Sequence, residues 1–130
     1  MISITTKSPY ALNALVELYR QGASCPVPIA ELARRRDLPV QFLEHLFATL
    51  RRAGILRSQR GVKGGYSFAR APEELTVLEL VELLDGPLGT DATGIFAEAA
   101  RAAGTVLAEA TVASVAESEI RAAIAPMYHI

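Results

Sequence analysis

The sequence predicts a mainly α-helical (α+β) fold in which several helices accompany one short β-hairpin. Apolar residues recur at helical spacing along much of the chain, and 51% of its 130 residues are hydrophobic, which is ample for a core. The hairpin is indicated by residues 56–69, where Gly61, Gly64 and Gly65 separate two short arms and allow a tight reversal. This length predicts one domain, or one domain with a dimerisation arm.

Caps, prolines and apolar stripes place the first three helices. Ser8-Pro9 predicts the start of the first helix, with the serine as its N-cap, and the helix should end near residue 22. A short helix is expected over Ile29–Arg36 and, after a turn at Asp37-Leu38-Pro39, another over about residues 40–53. Two helices joined by so short a turn form a helix-turn-helix, whose second helix can enter the major groove of DNA. An ordinary corner between two helices has the same pattern.

The predicted hairpin is basic. Its arms run over about residues 56–60 and 66–69, directly after the third helix. A small basic hairpin in this position is typical of the wing of a winged helix, whose partner is a phosphate backbone or groove of DNA. A solvated surface hairpin is the alternative for the hairpin taken alone. The cations on or beside it are Arg57, Arg60, Lys63 and Arg70.

Charge is divided unevenly along the chain. The net charge is −1, but residues 1–70 hold eleven Lys and Arg against four Asp and Glu, and residues 71–130 hold two against ten. We therefore expect the first part to meet a polyanion and the second to serve self-association or control. The predicted division is a winged helix-turn-helix region over 1–75 and a helical dimerisation and regulatory region over 76–130.

The second part begins with a capping box, in which Thr76 and Glu79 bind each other's backbone amides. Its helix should end near residue 84, before a loop over 86–94. A long alanine-rich helix is predicted over about 93–110, followed by a weaker one over about 112–125. The long helix has two adjacent apolar stripes that need a cover. Its own domain would serve, but a second copy is more attractive, which makes it the long C-terminal dimerisation helix.

Several classes of protein are disfavoured. The single cysteine, Cys25, forms no internal disulfide, and there is neither a run of 18 apolar residues nor a signal-peptide core, so we expect a cytoplasmic chain without a membrane partner. We find no nucleophile–base pair, catalytic carboxylate pair, phosphate-cradling loop or metal-ligand cluster, and expect no enzyme.

A set of short motifs is shared with one known family. They are Thr6-Lys7, Tyr10-Ala11-Leu12, Ile29-Ala30-Glu31-Leu32-Ala33, Phe42-Leu43-Glu44, residues 50–56, Arg57-Ser58-Gln59-Arg60-Gly61-Val62-Lys63-Gly64-Gly65-Tyr66, Ala71-Pro72 and Leu75-Thr76-Val77. With these the chain resembles the Rrf2 family of bacterial winged-helix transcription regulators, which includes iron–sulfur regulators of cluster assembly and nitric-oxide response. The match is close over residues 1–88 and weaker to 116.

The resemblance implies a sequence-specific DNA-binding regulator, most often a repressor, that acts as a homodimer on a partly palindromic operator of double-stranded DNA. The recognition helix would enter the major groove and the wing the adjacent minor groove. Gln41 can read adenine, whereas Arg51, Arg57 and Lys63 suit phosphates and Arg60 suits a narrow minor groove. The DNA-binding residues carried over by position are Val40, Gln41, Phe42, Arg51, Arg57, Arg60 and Lys63.

Three further arginines and two departures from the family bear on this assignment of DNA-binding residues. Residues 34–36 are all arginine and either contact the DNA backbone or complement the dipole at the end of their helix. Phe42 stands where the family usually has tyrosine, and His45 stands where an amide is common. The operator of a relative is therefore not expected to be the operator of this chain.

The sensor is the larger departure. Iron–sulfur members carry three cysteines in the loop and helix start after the fourth helix, but residues 86–101 contain neither cysteine nor histidine. Because a cluster needs thiolates, we expect no iron–sulfur cluster and no other cofactor. An unknown small-molecule or protein effector stays open. Two other functions also stay open: a protein-interaction module, and a cluster-free redox sensor using Cys25, although an inert cysteine is the more common case.

Overall fold

The mainly α fold with a two-stranded wing is confirmed. The computed structural model describes residues 4–22 and 25–124, and within them six helices accompany one antiparallel pair of strands. The elements are α1 (Lys7–Arg20), α2 (Ile29–Arg36), α3 (Val40–Arg52), β1 (Leu56–Gln59), β2 (Gly65–Phe68), α4 (Val77–Asp85), α5 (Gly94–Glu109) and α6 (Val112–Ile124).

The start of α1 differs from the sequence prediction. The helix begins at Lys7, and Ser8 is buried rather than acting as the N-cap. Its hydroxyl donates to the carboxylate of Asp85 at the end of α4, and the amide of Thr5 donates to the same carboxylate at 3.2 Å. The predicted cap was wrong because a carboxylate 77 residues away binds the hydroxyl. Burial raises the pKa of Asp85, but these hydrogen bonds outweigh it and lower the pKa overall.

The helix-turn-helix forms where it was predicted. Asp37 ends α2 in the left-handed region at φ 53°, and the amide of Leu38 donates to the carbonyl of Ala33 at 2.9 Å. Pro39 then precedes α3, whose inward face is fully buried at Leu43 and Phe47. The turn therefore sets α3 against the core and leaves its opposite side free.

The wing is attached to the core by its second strand. β1 begins at Leu56 as predicted and ends one residue early, whereas β2 lies one residue before its predicted range. Leu56 is opposite Phe68 and Gln59 is opposite Gly65. Val27 pairs with Tyr66 through two backbone hydrogen bonds of 2.9 and 2.8 Å, and the ring of Tyr66 lies edge-on to Phe47 at 5.2 Å. The wing base is therefore held by both the backbone and the aromatic core.

The C-terminal helices share the core of the N-terminal ones. The capping hydroxyl of Thr76 accepts from the amide of Glu79 at 3.1 Å, as predicted. The amide of Val112 donates to the carbonyl of Leu75 at 2.9 Å, and its side chain is buried in the same cluster as α1 and α3. α6 packs along α1, and its predicted last residue, Ala125, lies outside the described residues. The division at residue 75 stays a prediction, since one core spans it.

Arg36 joins three helices. Its guanidinium donates to Glu17 of α1 at 2.9 Å and to both carboxylate oxygens of Glu119 in α6 at 2.7 and 3.0 Å. It also donates to Asn13 at 3.0 Å, and Arg20 donates to Glu119 at 2.8 Å. The side chains of Arg36 and Glu17 are only 14% and 11% exposed, so their pair is more shielded from solvent than a surface ion pair, whereas Glu119 is 38% exposed.

Replacing Glu119 with glutamine is expected to lower the free energy of unfolding at neutral pH and to weaken its dependence on acid. The hydrogen bonds from Arg36 and Arg20 hold the pKa of Glu119 below its ordinary 4.5. A lowered folded-state pKa stabilises the protein fully above the unfolded pKa, and this contribution is lost as pH falls through the folded value. Urea unfolding from neutral pH to about pH 3 measures the effect. Glu109→Gln is the control, because Glu109 is exposed on α5 and forms no ion pair with the residues that the structure describes. Parallel pH profiles for wild type and Glu119→Gln would contradict the assignment.

Candidate nucleic-acid interface

The free side of α3 carries polar side chains. Gln41, His45 and Arg52 are exposed at helical spacing, while the apolar residues of the helix face the core. Because Gly54 allows the chain to turn at φ 79°, β1 follows within four residues and packs against α3. The recognition helix and the wing therefore lie side by side.

The structure places six of the seven predicted DNA-binding residues at the surface. Val40 is 40% exposed at the first turn of α3, and Gln41 beside it is exposed. Phe42 differs, because it is half-buried with its ring edge-on to Tyr10 at 5.5 Å. Its ring is engaged in packing, and a DNA contact by Phe42 stays a prediction. The remaining four, Arg51, Arg57, Arg60 and Lys63, are exposed.

The cations divide into two sets. Arg34 and Arg35 pair with Glu31, Arg36 belongs to the cluster with α1 and α6, and Arg70 pairs with Glu79 at 2.7 Å. By contrast, those at the end of α3 and in the wing form no ion pair with any described residue. The unpaired set on this side is Arg51, Arg52, Arg57, Arg60 and Lys63.

This division bears on the arginine run in α2, for which a DNA backbone contact and the helix dipole were both left open. Arg36 is committed to internal hydrogen bonds and cannot also serve as a freely placed backbone contact. Arg34 and Arg35 lie three and four residues after Glu31, and that spacing was a signal for pairing already present in the sequence. Arg36 is thus structural, and a backbone contact by Arg34 or Arg35 stays a prediction.

Two exposed residues were missed in the predicted site. Arg52 lies on the same free stripe of α3 as His45, at a spacing of seven residues that could have revealed it. Val62 is fully exposed at the wing tip between Gly61 and Lys63, and its apolar character gave no signal for an interface.

Metal ligands are sparse among the residues that the structure describes. No three His, Cys, Asp or Glu among them are grouped so as to hold a metal ion. The one cysteine, Cys25, is exposed in the segment between α1 and α2, remote in sequence from the loop before α5. In the same described residues, no helix combines the length and apolar character needed to cross a bilayer.

A helix-turn-helix followed by a hairpin, with unpaired cations on both, defines the winged-helix class of nucleic-acid-binding architecture. The family model Rrf2, described as an iron-dependent transcriptional regulator, matches residues 4–109. The chain belongs to the Rrf2 family of transcriptional regulators.

Relatives in sequence and structure agree with this assignment. The transcriptional regulator IscR of Cereibacter sphaeroides is 37% identical over 95 residues, 72% of this chain and 61% of that protein. CymR of Bacillus subtilis, a global cysteine regulator, is similar in structure with a TM-score of 0.81 and 27% identity, covering 91% of this chain and 98% of that one. The oxidized form of Staphylococcus aureus CymR has a TM-score of 0.77 at 28% identity, with 89% and 97% covered. The chain spans less than two thirds of the length of the curated relatives that it matches.

Proposed function

We propose that this chain is a sequence-specific regulator of transcription that binds a partly palindromic DNA operator as a homodimer and represses by occluding the promoter. The observation that carries the proposal is the set of unpaired cations on α3 and the wing. Cations with no internal partner are available to replace counterions on DNA phosphates, whereas the paired arginines elsewhere are not.

Each residue of the interface has a separate role in this proposal. Gln41, exposed at the start of α3, reads an adenine edge in the major groove. Arg51, Arg57 and Lys63 neutralise phosphates, which supplies affinity and salt dependence. Arg60, beside the glycine-rich tip, enters the minor groove. Val40 makes apolar contact at the same helix end as Gln41.

Arg60→Ala is expected to weaken operator binding by about 1–3 kcal/mol while leaving the free energy of unfolding unchanged, because its side chain is exposed and unpaired. Lys63→Ala should instead reduce the slope of log K against log salt by about 0.9 per protomer, or about 1.8 for the proposed dimer. Fluorescence anisotropy on an operator selected from a random DNA pool measures both quantities.

The matched control is Arg34→Ala, because that exposed arginine is paired with Glu31 at 2.7 Å and should leave DNA affinity nearly unchanged. Equal effects of Arg34→Ala and Arg60→Ala would contradict the assignment of the wing. Absence of any selected motif and of any salt dependence would favour the alternative function, a winged helix that docks a protein.

The homodimer is supported by the two stripes of α5. Ala100, on one stripe, is buried within the chain's own fold, where α5 packs on α4. Ile95 and Val106 of the other stripe, and Phe96 one turn before Ala100, are 65–69% exposed. Large apolar side chains at this exposure along one helix favour a second copy of the same helix as their cover.

Val106→Glu is therefore expected to weaken self-association at least about tenfold, since it would bury a charge in the proposed interface. Sedimentation velocity over a range of protein concentrations measures the dimer fraction. Thr105→Glu places the same charge on the adjacent polar side of α5 and should leave the dimer intact. A dimer that tolerates Val106→Glu would contradict the α5 interface.

A dimer of this kind would place two recognition helices on half-sites about one helical turn, or roughly 34 Å, apart. An effector that rearranges α5 would change that spacing and so release the operator. The chain would act in the cytoplasm, where its operator is accessible.

We propose that this member of the family works without an iron–sulfur cluster, or any other cofactor. The proposal rests on the donor set, because one exposed cysteine cannot replace the thiolates that a cluster requires. Stoichiometric iron and sulfide in anaerobically purified protein, with a visible charge-transfer band, would overturn it.

Oxidation of Cys25 is a second candidate for the signal. Its side chain is exposed, and two residues later Val27 pairs with Tyr66 of the wing. The thiol would be oxidised by peroxide to a sulfenic acid with release of water, and the added oxygen would act beside the wing base. Peroxide should then lower operator affinity of the wild type but not of Cys25→Ser. An equal response of the two proteins would leave Cys25 as an inert residue.

A further inference from the structure

A cleft of about 340 Å³ lies between α3 and α4, beside the start of α1. This is within the range of about 300–1,000 Å³ that small-molecule pockets occupy. Both walls are helices that pack on α1, so the cleft is part of the folded core region and not of a loop. Its lining residues are Lys7, Phe42, His45, Leu46, Thr49, Leu83 and Leu84.

The apolar lining of this cleft is incompletely covered by the chain itself. Leu83 of α4 is 40% exposed, although Leu80 and Val81 of the same helix are buried. Opposite it, Phe42 is half-buried with one edge held by Tyr10. An aromatic ring or short acyl chain between Leu83 and Phe42 would remove both from water.

The cation in the lining of the cleft is Lys7. Lys7 forms no ion pair with a described residue. The carboxylate next to it in the fold, Asp85, instead accepts hydrogen bonds from Thr5 and Ser8. The other titratable group in the lining is His45, which is not acidic.

We propose that this cleft binds a small organic carboxylate with an aromatic or short acyl tail. The carboxylate pairs with the ammonium group of Lys7, and the tail lies between Phe42 and Leu83. The combination favours such a ligand over a purely inorganic anion, because an apolar wall faces a single unpaired cation.

A ligand bound in the cleft would change the affinity for the operator, and this consequence rests on the proposed function. Phe42, His45 and Thr49 belong to the recognition helix α3, so a ligand held against them contacts the element that reads the operator. Coupling between two sites is reciprocal, so the ligand would change operator affinity by the same factor as the operator changes ligand affinity.

The chain offers a direct reporter, because Lys7 and Lys63 are its two lysines. Reductive ¹³C-methylation keeps their charge and yields one side-chain NMR signal for the cleft and one for the wing. Titration with benzoate or hexanoate, without DNA, should shift the Lys7 signal saturably and leave the Lys63 signal unchanged. Benzamide, the neutral analogue of benzoate, should bind at least tenfold more weakly.

Two variants test the assignment, followed through the backbone amide signals of His45 and Thr49. Lys7→Gln should weaken benzoate binding at least tenfold, and Leu83→Glu should do the same by placing a carboxylate at the cleft. Lys63→Gln is the matched control and should bind benzoate as the wild type does. Amide spectra and thermal unfolding establish that each variant is folded.

A Lys7 signal that does not move at millimolar benzoate or hexanoate, or moves equally with benzamide, would overturn the site. If a DNA duplex displaces benzoate and itself contacts Lys7, then Lys7 is a phosphate contact. That result would also overturn the proposed carboxylate site. Because the titration is made without DNA, failure of operator binding would count against the proposed function and not against the cleft.

Discussion

The structure depends most on the backbone pairing of Val27 with Tyr66. Without it, β1 and β2 would be an isolated two-stranded hairpin, which is at best marginally stable in water. The pairing adds a third extended segment, and the contact of Tyr66 with Phe47 ties that edge to α3. Gly65 makes the approach feasible, since a Cβ there would lie 2.3 Å from the carbonyl carbon of Val27. As a result, the wing is held in a fixed position relative to the recognition helix.

Local signals in the sequence were sufficient for most of the fold. The bounds of α2 follow from Pro28 before it and Asp37 after it, and α4 begins where the Thr76 hydroxyl accepts from the amide of Glu79. These signals act within a few residues of the chain. The start of α1 was misjudged for the opposite reason. Ser8 has the chemistry of an N-cap, but its partner Asp85 is brought to it by the packing of α4 on α1. Where a side chain can hydrogen-bond either to nearby backbone or to a distant residue, tertiary packing determines which partner it takes.

In the candidate site, too, the sequence could not predict contacts between distant residues, here the ion pairs of the arginines. The sequence located a basic N-terminal half, but not which of its cations are free. Arg36 and Arg51 are both arginines at helix ends, yet Arg36 is bound by Glu17 and Glu119 from other helices and Arg51 is exposed. The partner of Arg36 in α6 lies 83 residues further along the chain, beyond the reach of periodicity or spacing. Pairing within α2, by contrast, was visible from the position of Glu31.

The four residues at the wing tip, 60–63, are all exposed, whereas the two glycines that follow are constrained by the backbone. A Cβ at Gly64 would lie 2.2 Å from the carbonyl oxygen of Gln59, so this position tolerates no side chain without movement of the turn. Substitutions should consequently be tolerated before the boundary between residues 63 and 64 and rejected directly after it. Side chains at 60, 62 and 63 can diversify between gene copies at little cost in folding, while positions 64 and 65 stay glycine.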